Sequence, residues 1–503
     1  MIEPRHQVDV AVLGAGFGGS LTALLLKQLG LKPLLIERGS HPRFALGESA
    51  TPLADLVLAD LAGRYDLPRV APLAEYGSWQ RAYPQLVCGL KRGFSYFHHQ
   101  AGQPWRPRPG HGSELLVAAS LGPNDADTHW LRSQFDRLLV GEVQAAGIPY
   151  LERTQIDELT GGPPWTLLGE SDGRPCTIAA KFLIDASGEG RALARLLHLA
   201  DEPDHMRTSS RAIYGHFDAV RPWRELLLAA GGRVDEHPFT CDDAALHHMF
   251  DGGWMWVLRF GNGVTSAGWM LDAARSPFDT SIDAAGEWAR WMERFPSIRE
   301  QFADARLVAP PDGLRRTGRL QHRLERAAGH GWAMLPTTAY TLDALHSTGN
   351  AHTLLGLERL VGILERSWER PEIAGELAAY DGAVQAEITL LDTLVDGCYR
   401  AMGQFELLAS FAMFYFAAAH TCEMRRRSCA PGGRGFLLAD DARFRAALDG
   451  AYRRLIELTR GPATADELKS FERYVAEAIG PFNAAGLCDP ARSNMYPYVV
   501  STI

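Results

Sequence analysis

The stretch Val8 to Glu37 reads VDVAVLGAGFGGSLTALLLKQLGLKPLLIE, and it confines the chain to an α/β fold built on a parallel sheet. An apolar strand, Val8 to Leu13, runs into Gly14-Ala15-Gly16-Phe17-Gly18-Gly19. A helix follows, and a second apolar run, Pro33 to Ile36, ends in Glu37. Gly14 permits the tight turn, Gly16 lets the backbone approach a pyrophosphate, and Gly19 lets helix and strand pack closely. The helix start offers unpaired N–H groups and a positive dipole end to phosphates. Glu37 stands roughly 20 residues after the loop, where an acid meets a ribose 2′-OH. It suits the AMP half of FAD or NAD and repels a 2′-phosphate. Arg38, next to it, joins the expected cofactor contacts.

A chain of 503 residues exceeds one compact core, so two or three domains are expected. The net charge of −9 gives no reason to expect nucleic acid or an acidic membrane surface. Seven cysteines are scattered without a CxxC pair or metal-type Cys/His spacing, so no metal is expected and a reducing compartment fits. The opening MIEPRHQ carries no apolar signal segment. The longest apolar run, Leu407 to Ala419, is shorter than the roughly 20 residues that span a bilayer. It reads as a buried helix, and the expected location is the cytoplasm.

Beyond the first unit a turn-rich loop leads to a helix at Pro52. The segment ERGSHPRFALGES, Glu37 to Ser49, placed after a GxGxxG unit, resembles the flavin-dependent halogenases, which share the FAD fold of the aromatic-ring hydroxylases. In that family this loop runs along FAD, so the resemblance implies Arg43 and Glu48 as cofactor contacts. On the residues alone they read as a surface Arg and Glu.

A strand-like run from Phe94 to His99 follows Lys91. A lysine in that position reads by itself as a solvated edge residue. The resemblance gives it another part: halogenases hold hypohalous acid beside the substrate with a lysine near here. Lys91 is therefore the expected catalytic lysine.

From His129 the positions Trp130, Phe135, Leu138, Leu139 and Val143 fall at helical spacing. Arg132 resembles the arginine that the superfamily places over the flavin; a solvent-facing helix arginine is the competing reading. Lys181 to Arg191 reads as a buried strand ending in Asp185-Ala186-Ser187-Gly188, and it resembles the turn that closes over the cofactor's adenine side. Asp185 is thus an implied cofactor contact.

Residues from about 200 to 315 alternate and read as a mainly antiparallel sheet. Trp254 and Trp256 share one strand face, where they can line a pocket or fill a core. They correspond to the two tryptophans of the halogenase Trp-x-Trp-x-Ile-Pro motif, but Leu258-Arg259 stands where Ile-Pro is expected. That departure favours a monooxygenase as the alternative. His98-His99 and His247-His248 are adjacent pairs whose members face opposite ways, so they read as polar surface or pocket lining rather than a metal site.

The last motif is Asp343-Ala344-Leu345-His346-Ser347-Thr348-Gly349-Asn350, a loop that opens a helix. It resembles the halogenase Asp-x-x-x-Ser-Thr-Gly loop, which lies against the flavin. The resemblance implies Asp343 and Gly349 as cofactor contacts and Thr348 and Gly349 as halide contacts. A simply capped helix start is the plainer reading. His346 replaces the glutamate of free-tryptophan halogenases, which implies an activated ring such as a phenol or pyrrole, with His346 as the base. Residues 370 to 503 read as helical, and Arg425-Arg426-Arg427 as a solvated helix end.

The expected architecture is α/β: a Rossmann-type FAD-binding domain (1–200 and 315–368, with a substrate-side insertion at about 65–110), a mainly antiparallel substrate-side sheet (201–314), and a helical C-terminal region (369–503) capping the pocket. The expected enzyme uses reduced FAD, oxygen and chloride or bromide to halogenate an electron-rich aromatic, free or carrier-tethered. With no second GxGxxG for a nicotinamide cofactor, a separate flavin reductase supplies FADH2. The alternatives are an FAD-dependent monooxygenase and a non-catalytic flavin-binding accessory protein.

Overall fold

Strand periodicity in the first unit translates directly into a parallel ladder. The computed structural model describes residues 6–428 and 435–499, so the expectation for residues 1–5 lies outside the described residues. His6–Leu13 pairs in parallel with Pro33–Ile36 on one side and with Arg174–Asp185 on the other. Tyr150–Leu151 and Trp332–Met334 extend the parallel order at either edge. The strands are apolar where they pair: Val10 to Leu13 and Leu34 to Ile36 are buried without a break, the pattern of a parallel sheet covered on its faces. A β-hairpin, Thr154–Gly161 with Trp165–Ser171, is added antiparallel to the first half of Arg174–Asp185.

The second sheet has nine strands, most of them antiparallel. It reaches beyond residues 201–314. Gly93–His98 and Glu114–Ala118 join it through a parallel pairing with Ala245–Phe250, and Met495–Tyr496 adds a short parallel edge. Its pleat sorts side chains between two cores. Phe94, Tyr96, Trp254, Trp256 and Leu258 face the core shared with the nucleotide-binding sheet. Phe97, Met255, Trp269 and Leu271 face a separate aromatic core closed by Trp223, Trp291 and Phe295.

Helix Phe405–Arg427 is buried around most of its circumference and lies against helices Ile373–Ala401 and Ala465–Ile479. It is the one helix among the described residues long and apolar enough to cross a membrane, and 72% of its apolar window is covered by the rest of the protein. Of the three arginines in its last turn, Arg427 is exposed as a solvated end would be, but Arg426 is not. Arg426 reaches Asp60 at 2.6 Å and Glu358 at 2.7 Å, so it ties this helix to Pro52–Arg64 and Thr348–Ser367. Helix Thr348–Ser367 is further anchored by Glu387. That buried carboxylate takes His352 Nε2 at 2.7 Å, Arg359 Nη2 at 2.6 Å and the Phe436 amide at 2.7 Å.

Trp130 departs from its helical assignment. It closes strand Asp127–Trp130, and the helix begins only at Arg132. Pairing with Cys88–Lys91 overrides the local spacing.

Candidate active site

The glycine loop is built for close approach. Gly14 sits at φ +97°, and a Cβ there would lie 2.6 Å from Ser187 Cα, so the first loop and the Asp185 turn touch backbone to backbone. A Cβ at Gly19 would lie 1.8 Å from the Gly14 carbonyl oxygen. In front of Gly16 stand two guanidinium groups: the Cβ it lacks would meet Arg132 Nη2 at 3.4 Å and Arg43 Nη2 at 3.6 Å. Asp136 Oδ2 stands behind them, 3.8 Å from the same point, and pairs with both, so open backbone faces two guanidiniums held in place by one carboxylate, a setting that suits a pyrophosphate.

Glu37 lies at the end of its strand and accepts the Ala15 amide at 2.9 Å and the Gly39 amide at 2.8 Å. Burial opposes its ionisation, but those two donors prevail and hold its carboxyl below the usual range. Arg38 is exposed. Arg132 is buried rather than solvent-facing. It pairs with Asp136 at 2.8 Å, donates to the Leu46 carbonyl at 2.6 Å, and lies over the Phe17 ring at 4.9 Å. Asp185 is fully buried and accepts the Ser187 and Leu193 amides at 2.9 and 2.6 Å, so its carboxylate shapes the turn itself. Glu48 is also buried and takes His216 Nε2 at 2.8 Å.

The loop at Asp343 carries helix Thr348–Ser367, but its first turn is not simply capped. Ser347 is left-handed at φ +52°, and no side chain caps the helix. The Ser347 hydroxyl donates to Ser49 at 3.0 Å instead, while the Asn350 amide donates to the Ser49 carbonyl at 3.2 Å. The leading N–H groups of a 20-residue helix, with their positive dipole end, are left to another acceptor. Asp343 is committed to Ser210, Tyr399 and the Leu345 amide at 2.6, 2.8 and 3.0 Å.

Ser49 has a second neighbour of consequence. Ala50, beside it, accepts a hydrogen bond from Lys91 Nζ. One short segment therefore separates the lysine from the start of helix Thr348–Ser367. Lys91 is no edge residue: its side chain is fully buried, its ammonium is 4.1 Å from the Phe94 ring centroid, and Asp127 Oδ2 lies 3.9 Å away. Burial pulls its pKa down to about 8, with Asp127 and Asp55 working the other way. The same burial raises both carboxyls; Asp127 lifts Asp55 further, whereas Lys91 and a hydrogen bond from Asp55 pull Asp127 the other way.

From Phe94 an aromatic cluster extends, the wall of the predicted chamber. Tyr415 and Phe416 meet Phe94 edge-on at 5.8 and 5.5 Å, and His247 stacks on Tyr96 at 4.5 Å. Trp254 packs on His247 at 5.0 Å and lies 6.1 Å from Trp256. His346 stacks on Tyr415 at 4.3 Å, with Nε2 3.6 Å from Cys398 Sγ and Nδ1 buried without a partner. Burial holds its pKa at about 3, so the imidazole is neutral. Tyr96 Oη is likewise buried and unpartnered. An apolar cavity bounded by Phe94, Thr348, Tyr415, Phe416, Glu423 and Tyr498 adjoins this wall.

Ring contacts through Phe94, Tyr415, Tyr96 and His247 thus join Lys91, His346, Trp254 and Trp256 into one buried aromatic cluster, Thr348 lines the cavity beside it, and the glycine loop, Glu37, Arg43 and Arg132 gather at the nucleotide end. Arg259, in the altered motif, turns off the tryptophan face and donates to the Val220 carbonyl at 3.0 Å. Of the paired histidines, His247 lines the chamber. His99 and His248 are neither surface nor lining: they are hydrogen-bonded to each other at 2.9 Å in the second core. Asp55, Asp127, Tyr96 and Tyr415 were not picked out by sequence. Only strand pairing and helix packing bring them to Lys91 and His346.

Residues 9–263 match the model of the FAD-binding domain. The chain is 29% identical to monodechloroaminopyrrolnitrin halogenase PrnC of Pseudomonas fluorescens over 413 residues, 81% of this chain and 70% of that one. It is 27% identical to tetracycline 7-halogenase of Kitasatospora aureofaciens, over 82% of this chain and 73% of that one. Among solved structures, halogenase PltM in complex with phloroglucinol and FAD superposes with a TM-score of 0.86 at 20% identity, covering 97% of this chain and 99% of that one.

Proposed function

The chain belongs to the FAD-binding domain family, and from that premise we propose that it is a flavin-dependent halogenase acting on an electron-rich aromatic compound. The observation that carries the reading is the buried Lys91, one short segment away from an uncapped helix N-terminus and facing an aromatic chamber.

Gly14, Gly16 and Gly19, Arg43, Arg132 and Glu37 fit an adenine dinucleotide: bare backbone and two guanidiniums for the pyrophosphate, a carboxylate for the ribose. Asp185 shapes its own turn, Glu48 and Asp343 tie their loops to strand Ser210–Asp218 through His216 and Ser210, and Gly349 leaves the helix start bare for the cofactor. When bound and reduced by a separate reductase, FAD with oxygen supplies the two-electron oxidation of halide to hypohalous acid. The amides at Thr348 and Gly349 suit the halide, because an anion is favoured at an uncapped helix start.

The remaining work falls to this chain's own side chains. The Lys91 ammonium donates a hydrogen bond to the oxygen of hypohalous acid and polarises the halogen toward the ring. The aromatic carbon attacks halogen, the halogen–oxygen bond breaks, and the oxygen leaves as water with the lysine's proton. The ring proton passes to the neutral His346, whose Nδ1 faces no other partner. Trp254 and Trp256 hold the ring and exclude water. A phenol or pyrrole is the favoured class, since an activated ring needs little help in losing its proton. PltM is described with phloroglucinol, and a relative from Pseudoalteromonas luteoviolacea is named as a brominase of a carrier-bound pyrrole.

Arg259 does not argue for the monooxygenase, because its guanidinium leaves the tryptophan face unaltered. The deciding experiment supplies purified protein with a flavin reductase, NADH, oxygen, chloride or bromide, and a panel of phenols and pyrroles, with products read by mass spectrometry. Halogenated product that vanishes without halide is expected. Equal turnover to a hydroxylated product without halide would establish the monooxygenase instead.

A further inference from the structure

On the far face of the nine-stranded sheet, away from the chamber, His111, Glu114 and His237 converge. We propose that they bind one divalent transition-metal ion, zinc by the chemistry of the donors. One ligand atom from each lies within 4.8 Å of the other two. Glu114 opens strand Glu114–Ala118 on the same face as Leu116, which belongs to the second aromatic core.

The Glu114 side chain is 1% exposed, and among the described residues its ion-pair partners are two imidazoles alone: His237 Nε2 at 2.9 Å and His111 Nδ1 at 3.7 Å. A buried carboxylate needs positive charge beside it. His111 Nε2 lies 2.8 Å from Glu236 Oε2 and donates its proton there. Its Nδ1 is turned toward Glu114 Oε1, so a cation between that nitrogen and the carboxylate oxygen would be gripped by both. A carboxylate on the outer nitrogen is also the arrangement that orients a metal-binding imidazole. His111 is held for the task at φ +53°, unfavourable for a side chain with a Cβ. Asn494 fixes its carbonyl by a hydrogen bond of 3.3 Å.

Two imidazole nitrogens and a carboxylate are a zinc-type donor set, completed by a fourth ligand from solvent, with bonds of about 2.0–2.2 Å. Small side-chain shifts bring the three atoms to such distances. The role is structural, fastening the segment around His237 to the sheet edge. Sequence spacing gave no sign of it, because His237 lies far along the chain from the His111-x-x-Glu114 pair.

The test uses untagged full-length protein, analysed for zinc by mass spectrometry, then stripped with chelator and titrated with cobalt(II). One equivalent of metal and visible cobalt d–d absorption are expected. Glu236→Gln, which spares the three ligands, lowers cobalt affinity about 10–100-fold. Glu114→Gln and His237→Ala abolish binding. Folded wild-type protein taking up less than about a tenth of an equivalent of either metal would overturn the proposal. So would stoichiometric binding that persists in Glu114→Gln or His237→Ala.

Discussion

Lys91 stands directly opposite Asp127 in the short ladder between Cys88–Lys91 and Asp127–Trp130, with Nζ 3.9 Å from Oδ2 and both side chains cut off from solvent. The carboxylate helps keep a proton on an amine that burial would otherwise strip of it. Lys91 titrates near 8, below its usual range, because burial outweighs the pull of Asp127 and Asp55. With the ammonium as the working form, halogenation falls as pH rises through about 8. Asp127→Asn removes part of the attraction, so the falling limb moves to lower pH. A pH profile of product formation in both proteins checks this; a limb that rises through the same range would assign the work to the free amine.

Lys91→Met keeps the hydrophobic stem and removes the ammonium. Product formation drops by about 10²–10⁴-fold, the range of a positioned proton donor. FAD affinity, read by flavin fluorescence, and consumption of reduced flavin by oxygen are retained. Loss of FAD binding in this variant would mean that Lys91 serves the fold.

His346→Gln preserves bulk and a hydrogen-bonding group but cannot accept the ring proton. We expect kcat to fall about 10²-fold or more while KM changes little. A KM effect with unchanged kcat would make His346 a contact for the substrate only.

Gly19→Ala forces a methyl group to within 1.8 Å of the Gly14 carbonyl oxygen, which is backbone and cannot turn aside. The loop must open, and FAD retention during gel filtration is lost. Gly30→Ala provides the control: a Cβ there meets nothing within 4 Å, although φ of +79° brings its own strain, and FAD is retained.

Glu387→Gln leaves Arg359 and His352 facing a neutral amide in a buried site. Removing one member of a buried ion pair costs about 3–5 kcal/mol. Helix Thr348–Ser367 should loosen first, seen as faster amide hydrogen exchange in that helix together with a lowered melting temperature.

The nucleotide-binding half was legible because its constraints are local. Gly14, Gly19 and Glu37 fall within one βαβ unit, and their spacing alone dictates the turn, the packing and the acid. The shared face of Trp254 and Trp256 follows from a period of two. What could not be read were relations that only pairing between distant strands creates. Lys91 reads as a solvated edge residue until Asp127–Trp130 covers it, and Trp130 reads as helical until it is recruited into that ladder. The Arg426 clamp escaped for the same reason: Asp60 and Glu358 are hundreds and tens of residues away, and a run of arginines looks solvated until a long helix lays it across them.

The parallel pairing of Gly93–His98 with Ala245–Phe250 has a bearing on how the chain acquires its shape. Strands about 150 residues apart must find each other before the aromatic wall exists, and closing so large a loop makes such a contact a late and slow event. The glycine-rich unit pairs with Pro33–Ile36 close by and with Arg174–Asp185 about 170 residues on, and all of these leave the ribosome before Ala245–Phe250. A nascent chain therefore presents a nucleotide cradle first, with Phe94, Tyr96 and Trp254 still unshielded, and its yield should depend on how well that interval is protected from aggregation.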